Sequence, residues 1–383
     1  MIRFFLVFFG IYGSAHLYLL ARVRRGYDLG RPATIMLCLG LALMAAAPIL
    51  VHQAERAGFD RLARLVALGG YLWMGLLFVF VVVALLLDLY GLAVISVARL
   101  CGREWAFLLP GRRLLLLLPL LAAVTVVGCG WFEARAIRLE RVVLATDKLP
   151  PGTDTLRVVQ LSDVHLGLLV GEQRLAAILE QVRRAEPDLL VATGDLVDGQ
   201  VDDLAGLAGQ LREIRPRFGK YAIVGNHEFY AGLEYALGFL REGGFTVLRN
   251  EARIVAPGLV VAGVDDRRAA TWVSAEGSGE EELLSGLPSR RFVLFLKHRP
   301  QVEPTSIGRF DLQLSGHVHQ GQIFPFGLMT RLFFPVEVGV LQPLAHGFLY
   351  VNRGAGTWGP PIRFLAPPAV TLIELRAAPA AAR

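Results

Sequence analysis

Four long apolar runs in the first 132 residues constrain this chain more than any other feature: Phe4 to Leu20, Ala33 to Val51, Leu65 to Leu87 and Leu114 to Phe132. Each approaches or exceeds the ~20 residues an α-helix needs to cross the hydrocarbon core of a bilayer. There every backbone polar group must be satisfied within the segment, so helices are the expected solution. Residues 1–132 therefore predict a transmembrane helical region of about four spans. Asp88 follows the third run and Leu89 to Ala98 is apolar again, so one long span or two short ones fit there. We read Asp88 as marking an interface, with a functional intramembrane carboxylate as the alternative. A cleaved signal peptide is a poor reading of the first run, because Arg3 precedes it while Arg22, Arg24 and Arg25 follow.

Charge supports the same view. Among 39 basic residues only Lys148, Lys220 and Lys297 are lysines, and the arginines cluster at the ends of the apolar runs. No basic stripe interleaved with aromatics appears, so no nucleic-acid surface is expected. The first connection carries Arg22, Arg24, Arg25 and Arg31 and the third Arg99, Arg103, Arg112 and Arg113, against Arg56, Arg61 and Arg64 in the second. Positive loops stay cytoplasmic, which predicts a multi-pass protein of the plasma (inner) membrane with both termini, and the C-terminal domain, outside the cytoplasm. Cys38, Cys101 and Cys129 all fall in the N-terminal part without CxxC spacing, which speaks against a disulfide framework or a zinc ribbon.

Residues 133–155 are charged and contain Pro150-Pro151-Gly152, so they read as a linker or a first edge strand. From there short apolar runs alternate with amphipathic stretches, the pattern of an α/β domain over 156–376, with 377–383 as a tail. Strands are predicted at Leu156 to Gln160, Leu189 to Ala192, Tyr221 to Val224, Leu259 to Val264, Phe292 to Leu296 and Asp311 to Leu314. Leu175, Ile178, Leu179 and Val182 predict a helix after the first strand, and Leu204, Leu207, Leu211 and Ile214 one after the second. Glu276 to Glu282 reads as a polar loop or the start of a helix.

Five of these strands run into polar residues that a purely structural account does not need. The first leads to Asp163-Val164-His165, where alternation along extended backbone lets a carboxylate and an imidazole two residues apart face one point. The others lead to Gly194-Asp195, Gly225-Asn226-His227-Glu228, Lys297-His298-Arg299 and Gly316-His317-Val318-His319. Ligands bind outside the carboxyl ends of strands in open α/β sheets, so the five ends predict one crevice. Gly194, Gly225 and Gly316 suit tight turns and close backbone approach. Taken singly, His298 or His319 is more often an ordinary hydrogen-bonded histidine, and Asn226 a turn residue. Asp265-Asp266 fits a pair near the substrate and a turn start about equally. His16, His52 and His346 lack the strand-end setting and receive no role.

In this order the five blocks resemble the calcineurin-like metallophosphoesterase family, in particular its membrane-associated bacterial phosphohydrolases, over roughly Leu156 to Leu375. The resemblance implies an α/β/β/α sandwich holding two divalent ions, with Mn, Fe or Zn suited to mixed Asp, Asn and His ligation. It assigns Asp163, His165 and His319 to one ion and Asn226, His298 and His317 to the other, with Asp195 bridging both. Two such ions would activate a hydroxide for attack at phosphorus. By the same resemblance His227 protonates the leaving group or stabilises the phosphoryl oxygens. One departure stands out: Gln320-Gly321-Gln322 replaces the Gly-Gly-Gln that follows the last histidines in those relatives.

The implied activity is hydrolysis of phosphomono- or diesters by a membrane-anchored, metal-dependent enzyme. The apolar stretch Ile323 to Gly347 can cap the core, or meet the membrane interface or an acyl chain, and favours a lipid-linked or cell-envelope phosphoester as substrate. An alternative class is a membrane sensor or transporter whose phosphoesterase-like domain binds or regulates. Sparse intramembrane charge argues against a transport path.

Overall fold

The apolar runs form helices whose length and composition suit membrane crossing. The protein is seen in a computed structural model that describes residues 2–149, 152–199, 204–266 and 279–378. It divides into two compact units. One contains α1 (Ile2–Gly26), α2 (Arg31–Arg56), α3 (Asp60–Leu100) and α4 (Leu114–Glu133). All four carry candidate spans. Helix α3 runs unbroken for 41 residues, so the two-span reading of the third run does not hold. At 1.5 Å per residue it extends roughly 60 Å, about twice the hydrocarbon thickness.

Small residues let these helices approach. A Cβ on Gly70 of α3 would lie 2.5 Å from that of Ala47 on α2, so glycine permits the close crossing. Large apolar side chains such as Leu6, Ile11, Met36, Leu39 and Leu65 face outward, as lipid-facing surface requires. Asp88 is partnered within this unit: Arg22 forms an ion pair with it, and the Tyr18 hydroxyl donates to it at 2.5 Å.

The second unit comprises Glu133–Trp358 and Arg363–Arg383. Among the described residues it holds two six-stranded sheets. The first contains β1 (Arg138–Thr146), β2 (Thr155–Leu161), β3 (Leu189–Thr193), β4 (Lys220–Ile223), β5 (Thr246–Val247) and β12 (Ala369–Ala377), in the order β1-β12-β2-β3-β4-β5. Within it β2, β3, β4 and β5 are parallel. The second contains β6 (Glu251–Ala256), β7 (Leu259–Gly263), β8 (Phe292–Leu296), β9 (Leu312–Ser315), β10 (Leu341–Pro343) and β11 (Phe348–Val351), in the order β10-β11-β9-β8-β7-β6. Here β7, β8, β9 and β11 are parallel.

The sheets pack face to face. Leu156, Val158, Leu189 and Val191 of the first share one core with Val261, Leu294, Leu312 and Leu314 of the second. The outer face of the first sheet is covered by α5 (Glu172–Arg184), α6 (Leu204–Glu213) and, after the short α7 (Asn226–Ala231), α8 (Leu233–Glu242), with Leu175, Ile178, Leu179 and Val182 buried as their spacing predicted. On the other side α9 (Glu280–Ser285) packs Leu284 against Val293 and Phe295. The layers are therefore α/β/β/α. Of the polar stretch Glu276 to Glu282, positions 276–278 lie outside the described residues, as do 150–151 of the Pro-Pro-Gly turn and 379–383 of the tail.

The two-sheet arrangement corrects one step of the sequence reading. The five functional strand ends do not border one open sheet. Strands β2, β3 and β4 belong to one sheet and β8 and β9 to the other, so the crevice lies along the common carboxyl edge of the sandwich.

Candidate metal centre

Each block leaves its strand by a turn that aims polar atoms inward. Strand β2 ends at Leu161, and Asp163 and His165 follow with φ of 52° and 54°. They do not converge by pleat alternation, as the sequence had suggested, but through two left-handed turns. The turns are fastened to the next block: the N–H of Asp163 donates to Gly194 O at 3.1 Å and that of His165 to Asp195 O at 3.0 Å. Asp195, His317 and His319 also have positive φ. Such backbone is costly for residues with a Cβ and persists where surrounding structure enforces it, commonly at functional sites.

Close backbone approach explains two of the glycines. A Cβ on Gly316 would stand 1.9 Å from Ser162 Oγ and 2.2 Å from Asp163 Oδ2, and one on Gly225 would stand 2.2 Å from Asp195 Oδ1. With glycine at 316, the N–H of His317 reaches Asp163 Oδ1 at 2.9 Å. With glycine at 225, the N–H of His227 donates to Asp195 Oδ1 at 2.9 Å.

Three groups of donor atoms result, each within 4.8 Å: Asp163, His165 and His319; His165, Asp195 and His227; Asp195, His298 and His317. Asp195 and His165 each belong to two groups, so the three adjoin. Nε2 of His165 lies 2.9 Å from Nε2 of His319, and Nδ1 of His317 lies 3.1 Å from Nε2 of His298. His298 Nδ1 donates to Thr193 O at 2.8 Å, which orients the ring and turns Nε2 inward, toward Asp195 Oδ2 at 3.1 Å. Asn226 is buried beside His227, and its Oδ1 has no hydrogen-bond partner. A buried carbonyl oxygen left so is costly, and a cation satisfies it.

The electrostatics ask for positive charge. Asp163 and Asp195 are buried, which alone would raise their pKa values, yet the neighbouring histidines hold both well below the usual carboxylate range. Burial would likewise lower His298, but the Asp195 carboxylate pushes it up to about 10. His165, deeply buried and close to His227, falls to about 3. Buried carboxylates need a cationic partner, and divalent metal ions are the strongest available. The residues present therefore fit metal ions.

Residues 156–321 match the family model of calcineurin-like phosphoesterase. An uncharacterized metallophosphoesterase of Aquifex aeolicus (strain VF5) is 39% identical over 255 residues, covering 66% of this chain and 97% of that relative. This chain belongs to the calcineurin-like metallophosphoesterase family. A transmembrane protein with metallophosphoesterase domain from Danio rerio is 32% identical over 278 residues, 70% of this chain, and the match spans 63% of that relative's length. The uncharacterized metallophosphoesterase YkuE of Bacillus subtilis (strain 168) is 31% identical over 258 residues, 64% of this chain and 88% of YkuE.

Other residues of this metallophosphoesterase support the centre, and of these Asp198 and Arg363 had not stood out in the sequence. Asp198 holds His227 Nδ1 at 2.6 Å. Burial would lower the His227 pKa, but Asp195 and Asp198 push it up to about 9. The buried Glu228 carboxylate accepts from the N–H groups of Asp195, Leu196, Val197 and Gly225 at 2.7–3.1 Å, tying the β3 and β4 blocks together. Arg299, paired with Asp266, donates to Nε2 of His317 at 2.8 Å, and the fully buried Arg363 donates to Nδ1 of His319 at 3.0 Å. A guanidinium only donates, so in this arrangement the ring proton sits on the inward nitrogen of each histidine; for that nitrogen to hold a cation as a neutral ring, the proton would move to the outer nitrogen and the arginine contact would give way. Asp266 thus bears on the site through Arg299, whereas Asp265 pairs with Arg249. Gln320, in the stretch that departs from the Gly-Gly-Gln pattern, has a left-handed φ of 52°, and its side chain accepts from Arg353.

Proposed function

We propose that the protein is a membrane-anchored phosphoesterase that holds two divalent transition-metal ions and hydrolyses a phosphomono- or diester. Asp163, His165 and His319 would hold one ion, and Asn226, His298 and His317 the other, with Asp195 shared. The observation that carries this reading is the membership of Asp195 in two adjoining donor groups while Asn226 Oδ1 stays buried without a partner. When bound, such a pair of ions acidifies water and draws charge from phosphoryl oxygens.

The chain's own groups supply the rest. The Glu228 clamp on four N–H groups fixes Asp195 and His227 relative to each other. Asp198 engages Nδ1 of His227, leaving Nε2 to hand a proton to the leaving oxygen. Tyr230 and Trp358 flank His227, with ring centroids 5.3 Å and 5.8 Å from it, and shield that proton from bulk water. Trp358 is held in place by Gln322, whose amide pairs with its backbone N–H and C=O at 2.9 Å and 2.8 Å.

A lipid-linked or cell-envelope phosphoester is the substrate class we favour, because the same chain carries four candidate spans and an exposed apolar helix follows the last histidine block. The test is turnover of an aryl phosphate, an aryl phosphodiester and a lipid phosphoester by the purified full chain with Mn, Zn or Mg. Metal-dependent hydrolysis is expected, with the lipid phosphoester preferred. Equal turnover of all three would remove the lipid preference, and no metal-dependent turnover of any would remove the enzymatic reading.

A further inference from the structure

Helix α10 (Phe326–Phe333) follows the Gly-His-x-His block and has none of its residues buried. Its large apolar side chains Phe326, Leu328, Met329, Leu332 and Phe333 all face out, Leu332 81% and Phe333 72% exposed. A helix that merely caps a core turns one apolar stripe inward, and this one does not. Its apolar surface continues into the neighbouring loop, since Phe324, Leu328 and Leu365 line one cavity of about 180 Å³.

The chain itself ties this patch to the end of a candidate span. The backbone N–H groups of Leu365 and Ala366 donate to the Glu133 carboxylate at 3.1 Å and 2.9 Å. Glu133 is the last residue of α4, the point at which the chain leaves its final apolar run. Exposed arginines lie next to these residues along the chain, Arg331 on the helix itself and Arg135 and Arg138 just after Glu133. Exposed apolar side chains with arginines close by in sequence suit the boundary between acyl chains and anionic headgroups.

We propose that α10 and Leu365 form a docking surface for a lipid bilayer bearing anionic headgroups. Docking would fix the height of the metal centre above that bilayer. The helix is rigidly joined to the site: a Cβ on Gly321 would stand 2.2 Å from Gly327 N, and the Phe334 ring lies 5.3 Å from that of His317. A phosphoester at headgroup depth would then meet the centre without leaving its membrane. The proposal rests on the membrane anchoring put forward above.

The test uses the full chain with Cys38, Cys101 and Cys129 replaced by serine, reconstituted into phosphatidylcholine–phosphatidylglycerol vesicles. Single cysteines are introduced by Leu332→Cys, Phe333→Cys, Ile254→Cys and Leu39→Cys and labelled with an environment-sensitive fluorophore. Brominated lipid should quench the labels at positions 332 and 333 at least twofold more than the label at 254, and aqueous iodide should do the reverse. Arg331→Glu should at least halve the lipid quenching at 332 while bound metal stays unchanged. Iodide quenching at 332 equal to that at 254 overturns the proposal, as does protection from both quenchers, which would mean that protein covers the helix. Loss of lipid quenching at position 39 would instead refute the anchoring itself, so the two failures are distinguishable.

Discussion

Nε2 of His165 and Nε2 of His319 face each other at 2.9 Å, although 154 residues of chain separate them. At that distance one ring nitrogen donates its proton to the other, and both also lie within reach of one cation. Asp163 Oδ1, 3.3 Å from the same Nε2 of His319, is the third donor of this group, and the three would hold one ion between them.

The role given to His227 separates chemistry from metal binding. His227→Ala should reduce turnover by ~10²- to 10⁴-fold, as for a lost proton donor. Its bound metal should match the parent protein by elemental analysis. Loss of metal together with activity would make His227 a ligand, which its membership in the group with His165 and Asp195 would then explain.

Gly316 is a packing requirement. In Gly316→Ala the new methyl meets Ser162 Oγ and Asp163 Oδ2. Overpacking of this kind costs about 1–3 kcal/mol and would push Asp163 off its position. A lowered unfolding temperature together with reduced bound metal is the expected pair of results. Unchanged metal content and an unchanged unfolding temperature would mean that the added methyl does not displace Asp163.

Arg363 organises the loops behind His319. Its guanidinium donates to the carbonyl oxygens of His319, Arg353, Gly354 and Gly356 at 2.6–3.3 Å, the Arg353 bond part-buried and the other three buried. Buried acceptors left without donors cost ~1–3 kcal/mol each, so Arg363→Met should destabilise the domain by about 3 kcal/mol or more. Arg184→Met, which breaks only an exposed pair with Glu180, should cost ~0.5 kcal/mol or less. Denaturant unfolding of the two variants checks the contrast.

The side of the membrane is open to a direct test. Arginine placement predicts that a reporter active only outside the cytoplasm will be active when fused after Arg383 and silent when fused after Arg112. The unbroken helix Asp60–Leu100 supports an even number of spans. The reverse pattern would put the catalytic domain in the cytoplasm and favour a cytoplasmic precursor as substrate.

Much of this architecture could be read in the sequence because its signals are local. The parallel strands are short apolar runs punctuated by Gly, Asp, Asn and His, so β8 was expected at Phe292 to Leu296 and is found there. The buried faces of α5 and α6 follow from helical spacing. What stayed hidden depends on partners distant in sequence. Arg363 lies 44 residues beyond His319, in a loop without regular structure, and no local pattern marks it as buried. Glu228 was visible within its block, but three of its four backbone partners, Asp195, Leu196 and Val197, lie in another turn. The division of strands between two sheets is set by which apolar faces meet, and near-continuous apolar runs conceal that choice. The left-handed turns at Asp163 and His165 are imposed by the loop at Gly194 and Asp195, against the preference of the residues themselves.

The most direct test of the central claim is the metal content of the purified full chain, measured by elemental analysis beside that of Asp195→Asn after equal loading with Mn or Zn. Two ions per chain are predicted for the parent. The variant should hold fewer and lose turnover by more than the ~10- to 100-fold typical of a residue that only supports a ligand. A folded parent chain that binds no transition metal, or an Asp195→Asn variant with full metal and full activity, would contradict a shared-carboxylate, two-metal phosphoesterase.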